Sequence, residues 1–255
     1  MTTEWNPAAL ISPHQPSLDP PYALLVLNQP LLNLEVLKQV WKKSGYRIAA
    51  DGGANQLHVT LENREIADLA KQIKLQVLCG DLDSINDSAM CWARKQGTII
   101  SKDPDEYSTD FTKCFKYIRR HYQRSCDIVC MGGLGGRVDQ GIATLNHLYM
   151  FQQDYSDGKV YLLSTEAITF VLKVGTHRIR VRGPEEPSIL GKNVGIIPMK
   201  QPCHITTSGL TWDVTDWKTE FGGQISTSNY VREDYVTVAT DGDVLFTIDI
   251  NLPPQ

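Results

Sequence analysis

Over its first half the chain alternates short apolar runs with longer amphipathic stretches. Tyr22 to Leu27 is continuously apolar, which suits a strand covered on both faces. Asn33 is placed to cap a helix whose stripe is Leu34, Leu37 and Trp41, ending near Gly45. A short strand at Arg47 to Ala50 stops at Asp51-Gly52-Gly53, and a helical segment is expected from Glu65 to Gln72. Leu75 to Cys79 predicts a third strand, stopped at Gly80-Asp81. Met90 to Lys95 predicts a helix and Thr98 to Ile100 a strand. Phe111, Cys114, Phe115, Ile118 and Tyr122 recur at helical spacing, and Lys113, Lys116, Arg119, Arg120 and Arg124 form an opposite face expected to be solvated. Asp127 to Met131 predicts a buried strand that runs into Gly132-Gly133-Leu134-Gly135-Gly136, followed by a helix at Ile142 to Met150. Strands and helices in alternation imply a parallel α/β sheet.

Beyond Ser164 the rhythm changes. Strand-like runs at 168–172, 177–181, 194–197, 204–207, 223–227, 235–239 and 244–250 follow at short spacing. Gly175, Gly183-Pro184, Pro202, Gly209, Gly222-Gly223 and Asp241-Gly242-Asp243 separate them as turns. That is the pattern of an antiparallel sandwich or barrel. The expected fold class is therefore α/β plus all-β: an α/β domain over 22–164 and a smaller antiparallel β-sandwich over 165–255. Residues 1–21 carry several prolines and little apolar continuity, and read as a flexible tail.

Composition narrows the function classes. With 255 residues, 42% of them apolar and 21% charged, the chain is neither disordered, collagen-like nor coiled-coil. A net charge of −4 argues against a protein that coats nucleic acid. The six cysteines form no Cys-x-x-Cys pair, so neither a zinc knuckle nor a redox dithiol is indicated, and buried reduced thiols are expected. No stretch approaches the roughly 20 apolar residues that cross a bilayer. The expectation is a soluble, cytoplasmic protein without membrane or nucleic-acid partners.

The candidate chemistry lies at predicted strand ends. Asp51 follows one strand, Asp81 and Asp83 a second, and Asp139 the glycine-rich turn after a third; Asp110 opens the basic-faced helix. In a parallel sheet the C-terminal strand ends share one edge, where ligands bind. Carboxylates gathered there repel one another unless a cation joins them, and an oxygen-only set suits Mg²⁺ shared with substrate phosphates. Aspartates at such positions also serve as caps and turn formers. The run Gly132 to Asp139 lacks both the P-loop ending and the dinucleotide fingerprint. A glycine turn between strand and helix still offers backbone N–H groups to phosphate, and Arg137 adds a forked cation.

Taken together, Asp51-Gly-Gly-Ala-Asn55, Gly80-Asp-Leu-Asp-Ser84, Ser108-Thr-Asp-Phe-Thr-Lys113 and Gly132-Gly-Leu-Gly-Gly-Arg-Val-Asp-Gln140 resemble the successive motifs of the thiamine pyrophosphokinase family. Thr207-Ser-Gly-Leu-Thr-Trp212 and Ile225-Ser-Thr-Ser-Asn229 are similar to its thiamine-binding segments. The resemblance implies transfer of an intact diphosphate from ATP to the hydroxyl of thiamine, with Mg²⁺-assisted attack on the β-phosphorus and release of AMP. It also implies a homodimer whose sites are shared between chains. By the same resemblance Asp81, Asp83 and Asp110 hold Mg²⁺, and Asp51 joins them as a catalytic carboxylate. ATP is held by Asn55, Thr109, Lys113, Gly133, Gly135, Gly136, Arg137, Asp139 and Gln140. Trp212 stacks on thiamine, and Ser226, Thr227, Ser228 and Asn229 line its pyrimidine. The segment Asp105-Glu-Tyr-Ser-Thr109 departs from the family pattern by one added residue, and Asp105 or Glu106 is the candidate for a further acid of that pattern.

Two other readings compete. A metal-dependent nucleotide hydrolase or monophosphate-transferring kinase needs the same acid edge but not the aromatic and polar segments of the second domain. A non-catalytic thiamine or nucleotide sensor needs no complete set of acids, and none of the proposed set is missing.

Overall fold

The computed structural model describes residues 2–62, 73–122, 125–155, 157–183 and 188–251. It divides into two compact units, one of residues 17–165 and one of residues 1–16 with 166–255. The helical segment expected at 65–72 lies outside the described residues.

In the unit of residues 17–165, β2 (Ala23–Val26), β3 (Tyr46–Ala50), β4 (Val77–Gly80), β5 (Ile99–Lys102), β6 (Ile128–Met131) and β7 (Val160–Leu163) run parallel in the order β7-β6-β2-β3-β4-β5. The chain lays down β2 to β5 in one direction, then returns to place β6 on the other flank of β2. That reversal makes the C-terminal ends of β2 and β6 the place where a crevice opens. β2, β4, β6 and β7 are buried throughout, which is why their sequences do not alternate.

Helices α2 (Leu34–Lys43), α4 (Asp87–Lys95) and α5 (Asp110–His121) are capped by the side chains of Asn33, Asn86 and Thr109. α5 buries Phe111, Cys114, Phe115 and Ile118, as the spacing predicts; α2 buries the predicted Leu37 and Trp41 together with Val36 and Val40, while Leu34 is only half-buried. α5 departs from prediction at Lys113, whose side chain is buried instead of solvated. Helix α6 (Val138–Asp154) starts at the end of the glycine turn and packs Phe151 on Phe115 with ring centroids 3.8 Å apart. α3 (Gly53–Leu61) was not anticipated; it begins inside the Asp51-Gly-Gly turn.

The other unit has two sheets. β8 (Ala167–Leu172), β15 (Val244–Ile250), β10 (Leu190–Ile197) and β13 (Ser226–Tyr230) are antiparallel neighbours. The second sheet runs β1 (Thr2–Trp5), β9 (Gly175–Arg180), β14 (Tyr235–Thr240), β11 (Cys203–Ser208) and β12 (Trp217–Thr219). The strand expected at 223–227 lies three residues further on, at β13, and β12 was missed.

The flexible tail expected over 1–21 is corrected. β1 pairs parallel to β9 from Thr2↔Thr176 to Trp5↔Ile179, and the short helix α1 (Ala8–Ile11) is wholly buried. Trp5 stacks on Phe170 across the two sheets at 4.5 Å and donates its indole N–H to His177 Nδ1 at 3.1 Å. The apolar signal is only Trp5 and Ala8 to Ile11, set among prolines, and its partners lie some 170 residues downstream. All six cysteines are free thiols, five of them buried, and Cys91 is exposed.

Candidate active site

In the α/β unit a cavity of about 550 Å³ opens at the C-terminal ends of β2, β3, β4 and β6. Leu27, Asn28 and Gln29 leave β2 into it, Asp51 leaves β3, Asp81 leaves β4, and Gly132 and Gly133 leave β6. The N-terminal turn of α5 contributes Ser108 to Phe111, and α6 contributes Gln140, Thr144 and His147.

The acids meet where Gly80 allows it. Its φ is +155°, and a Cβ there would stand 2.8 Å from Asp110 Oδ1 and 3.0 Å from Asp51 Cβ. Only glycine lets the two carboxylates close on the end of β4. Asp51, Asp81 and Asp83 each bring an oxygen within 4.8 Å of the others. Asp51 is buried. Its Oδ2 accepts the Ser84 N–H at 2.9 Å, while its buried Oδ1 has no hydrogen-bond partner. Burial raises its proton affinity; the Ser84 N–H opposes this, and the charges of Asp110, Asp81 and Asp83 add to it.

Asp110 is placed differently from the expected metal set. Its Oδ1 accepts the Asp81 N–H and the Lys113 ammonium, both at 3.2 Å. Lys113 Nζ also reaches Asp81 Oδ2 at 3.1 Å. Burial works against the Lys113 charge, but its bonds to the two aspartates outweigh it and hold the ammonium above its ordinary pKa. Asp81 is likewise opposed by burial, yet Lys113 and the Asp83 N–H lower it.

An oxygen-only set with a buried, unsatisfied carboxylate atom fits a hard divalent cation such as Mg²⁺. Asp51, Asp81 and Asp83 fit it directly, with Asp110 beside them through Lys113. Asp105 lies outside this group: its Oδ1 accepts the Tyr107 N–H at 3.0 Å, and the bonds from Ser108 and Tyr107 lower its pKa in the open. Glu106 is not among the grouped acids either.

The expected nucleotide residues separate into two sets. Thr109, Gly133, Arg137 and Gln140 line the cavity. Gly135 and Gly136 adopt φ of +129° and +65° in the turn beyond it. Asp139 is bound by Arg137 at 2.6 Å. Asn55 faces the loop after β4, donating to Ser84 O at 2.8 Å and accepting the Asn86 N–H at 3.0 Å. It therefore holds the acid-bearing loop in shape.

Sequence reasoning missed Asn28, Gln29, Ser84 and His147. His147 Nδ1 lies 2.6 Å from Ala143 O and must carry the proton, so Nε2 accepts the Thr109 hydroxyl at 2.9 Å. A lone histidine on an apolar helix face gave no signal for this.

In the β unit a separate cavity of about 240 Å³ is lined by Ile205, Thr207, Trp212, Val214, Trp217, Ile225, Ser226, Thr227 and Asn229. Trp212 is exposed, and a second tryptophan, Trp217, joins it from β12, the strand that sequence reasoning overlooked. Ser228 does not line the cavity; it turns the chain with φ +55°. Asn229 lines it but is buried, with its amide engaged by backbone. Asp213 accepts from Thr207 Oγ1 and from the Gly209 and Leu210 N–H groups, fixing the loop that carries Trp212.

A parallel α/β unit with a carboxylate edge beside a glycine turn, joined in one chain to a β unit with a tryptophan-lined cavity, defines a two-domain frame suited to a metal-associated anion and a flat organic ligand. The family model for the thiamin pyrophosphokinase catalytic domain matches residues 37–162, and that for the vitamin B1 binding domain matches residues 176–245. Thiamine pyrophosphokinase 1 of Arabidopsis thaliana is 37% identical over 240 residues, covering 90% of this chain and 86% of its own. Thiamine pyrophosphokinase of Saccharomyces cerevisiae is 27% identical, covering 92% and 87%. The crystal structure of the yeast thiamin pyrophosphokinase superposes with a TM-score of 0.85 at 25% identity, covering 98% of this chain and 91% of that one. The chain belongs to the thiamine pyrophosphokinase family.

Proposed function

We propose that the chain transfers an intact diphosphate from ATP to the hydroxyl of thiamine, giving thiamine diphosphate and AMP. The observation that carries this reading is the pairing, within one chain of this family, of an acid-lined cavity at the β2/β6 reversal with a tryptophan-lined cavity in the β unit. An enzyme acting on ATP alone has no use for the second cavity.

The thiamine hydroxyl oxygen bonds to the β-phosphorus. The bond from that phosphorus to the α,β-bridging oxygen breaks, and AMP leaves with the electron pair. A carboxylate accepts the hydroxyl proton. Asp51, Asp81 and Asp83 would hold Mg²⁺, which would supply charge neutralisation to the phosphates. Arg137, Gln140, Thr109 and the Gly133 backbone face the nucleotide and orient it. Trp212 offers an indole face to the thiazolium cation, an attraction of about 0.5–2 kcal/mol.

The working unit is a homodimer, in which the nucleotide cavity of one chain and the tryptophan cavity of the other serve one reaction. The protein acts in the cytoplasm. No helix among the described residues is long and apolar enough to cross a membrane.

Incubation with ATP, Mg²⁺ and thiamine, followed by phosphorus NMR, tests the reaction. AMP and thiamine diphosphate are expected. ADP with thiamine monophosphate overturns diphosphate transfer. Light scattering tests the assembly: a fully active species near 28.6 kDa rules out the shared-site dimer.

A further inference from the structure

The cavity of the β unit is lined by the indole of Trp212. Trp212 is 59% exposed, and its ring stands 5.4 Å from that of Tyr230 at an interplanar angle of 48°. Its backbone, by contrast, is gripped at both polar atoms by one side chain. Asn229 Oδ1 accepts the Trp212 N–H at 3.0 Å, and Asn229 Nδ2 donates to Trp212 O at 2.9 Å. The same Oδ1 accepts the Tyr230 N–H at 3.0 Å. Asn229 is only 4% exposed.

The local backbone is built to aim this amide. Val194 pairs with Asn229 and Ile196 with Ser226, so Thr227 and Ser228 stand opposite Gly195 alone. The extra residue makes a bulge, and bulges redirect side chains beside functional sites. Ser228 takes the left-handed conformation, φ +55°, which costs a non-glycine residue on the order of 1–3 kcal/mol. The strained turn leaves Asn229 directed inward while Ser228 and Tyr230 stay exposed.

We propose that Asn229 is a positioning residue: it sets the Trp212 indole for thiamine without itself bonding the vitamin. This rests on the reading of the β-unit cavity as the thiamine site. A neutral amide is required, because Trp212 presents one donor and one acceptor. Aspartate keeps the acceptor but opposes a charge to Trp212 O, and alanine loses both.

A double-mutant cycle over Asn229→Ala and Trp212→Ala decides the matter. Thiamine KM, ATP KM and kcat are measured for each protein. Asn229→Ala should raise thiamine KM on the order of tenfold, with ATP KM unchanged. In the Trp212→Ala background it should add nothing. Multiplying effects overturn the proposal, because they show a contact independent of the indole. Wild-type thiamine KM in Trp212→Ala overturns the cavity reading itself, and this role with it. Should Asn229→Ala not fold, Asn229→Asp takes its place in the cycle. Fluorine NMR of protein labelled with 5-fluorotryptophan gives a readout independent of activity. The Trp212 signal, identified by its loss in Trp212→Ala, should broaden or shift in Asn229→Asp while the other tryptophan signals hold. An unmoved Trp212 signal overturns the proposal.

Discussion

Lys113 and Asp81 form an ion pair at 3.1 Å that ties the first turn of α5 to the loop after β4. The same ammonium reaches Asp110 at 3.2 Å, so one buried cation serves two carboxylates at the mouth of the cavity. Burial works against its charge, and its bonds to the two aspartates more than offset this. Removing one partner of a buried charge pair costs about 3–5 kcal/mol, and the partly open aspartates bring this case to the low end or below. Lys113→Met should therefore unfold at a lower temperature than the wild type. Added Mg²⁺ should raise its midpoint more than that of the wild type, because the carboxylates have lost their own cation. Equal Mg²⁺ responses in a thermal-shift assay would remove Lys113 from the electrostatics of the site.

Asp81→Asn and Asp83→Asn test the acids themselves. Each replaces a charged oxygen with an amide nitrogen of the same size, so packing is retained. Turnover should fall by orders of magnitude in both, with the unfolding midpoint of Asp83→Asn near that of wild type and that of Asp81→Asn lowered by the loss of one Lys113 partner. Steady-state assays at saturating Mg²⁺ check this, and undiminished kcat in either variant excludes that residue from the metal clamp.

The acid edge was legible in the sequence because strand ends are marked by local punctuation, Asp51-Gly-Gly and Gly80-Asp. The α/β and β units were legible because periodicity is local too. What was hidden depends on contacts distant in sequence. Trp5 finds Phe170 and His177 from within a proline-rich segment, so its strand looked like a tail. Lys113 falls on the basic side of α5 by helical spacing, and only the placement of Asp81 draws it inward. Asn55 and Asn229 were assigned to ATP and thiamine by the family resemblance alone; that their amides also bond backbone depends on loops distant in sequence.

His147 carries a prediction for the nucleotide side. With its Nδ1 proton given to Ala143 O, its Nε2 orients the Thr109 hydroxyl, whose oxygen also caps α5 at Thr112. Burial depresses its pKa, with the Ala143 bond opposing, so the ring is neutral at physiological pH. His147→Leu keeps the bulk but takes that acceptor from the exposed Thr109 hydroxyl, the loss of a hydrogen bond worth about 0.5–1.5 kcal/mol. ATP KM should rise roughly two- to tenfold, by that same range, with thiamine KM unchanged. Equal changes in both constants would mean that the variant disturbs the fold and not the nucleotide site.

The β unit should be acid-labile through its N-terminal strand. His177 is buried, accepts the Trp5 indole N–H at Nδ1 and faces Lys173 O with Nε2 at 2.7 Å. Burial lowers its pKa below the ordinary histidine value, with the Lys173 bond opposing. Above about pH 6.5 the ring is neutral both folded and unfolded, and the full stability is present. As pH falls below that value the unfolded chain takes up a proton that the folded one resists, so stability declines. Protonation at Nδ1 also removes the acceptor for Trp5. Denaturant midpoints should therefore drop between pH 6.5 and 5 in the wild type, and less steeply in His177→Gln. Trp5→Ala should cost about 3–5 kcal/mol at neutral pH, since it removes a buried tryptophan stacked on Phe170. If wild type and His177→Gln fall in parallel with acid, His177 is not the group responsible. If Trp5→Ala unfolds at the wild-type midpoint, β1 carries none of the stability of the sandwich.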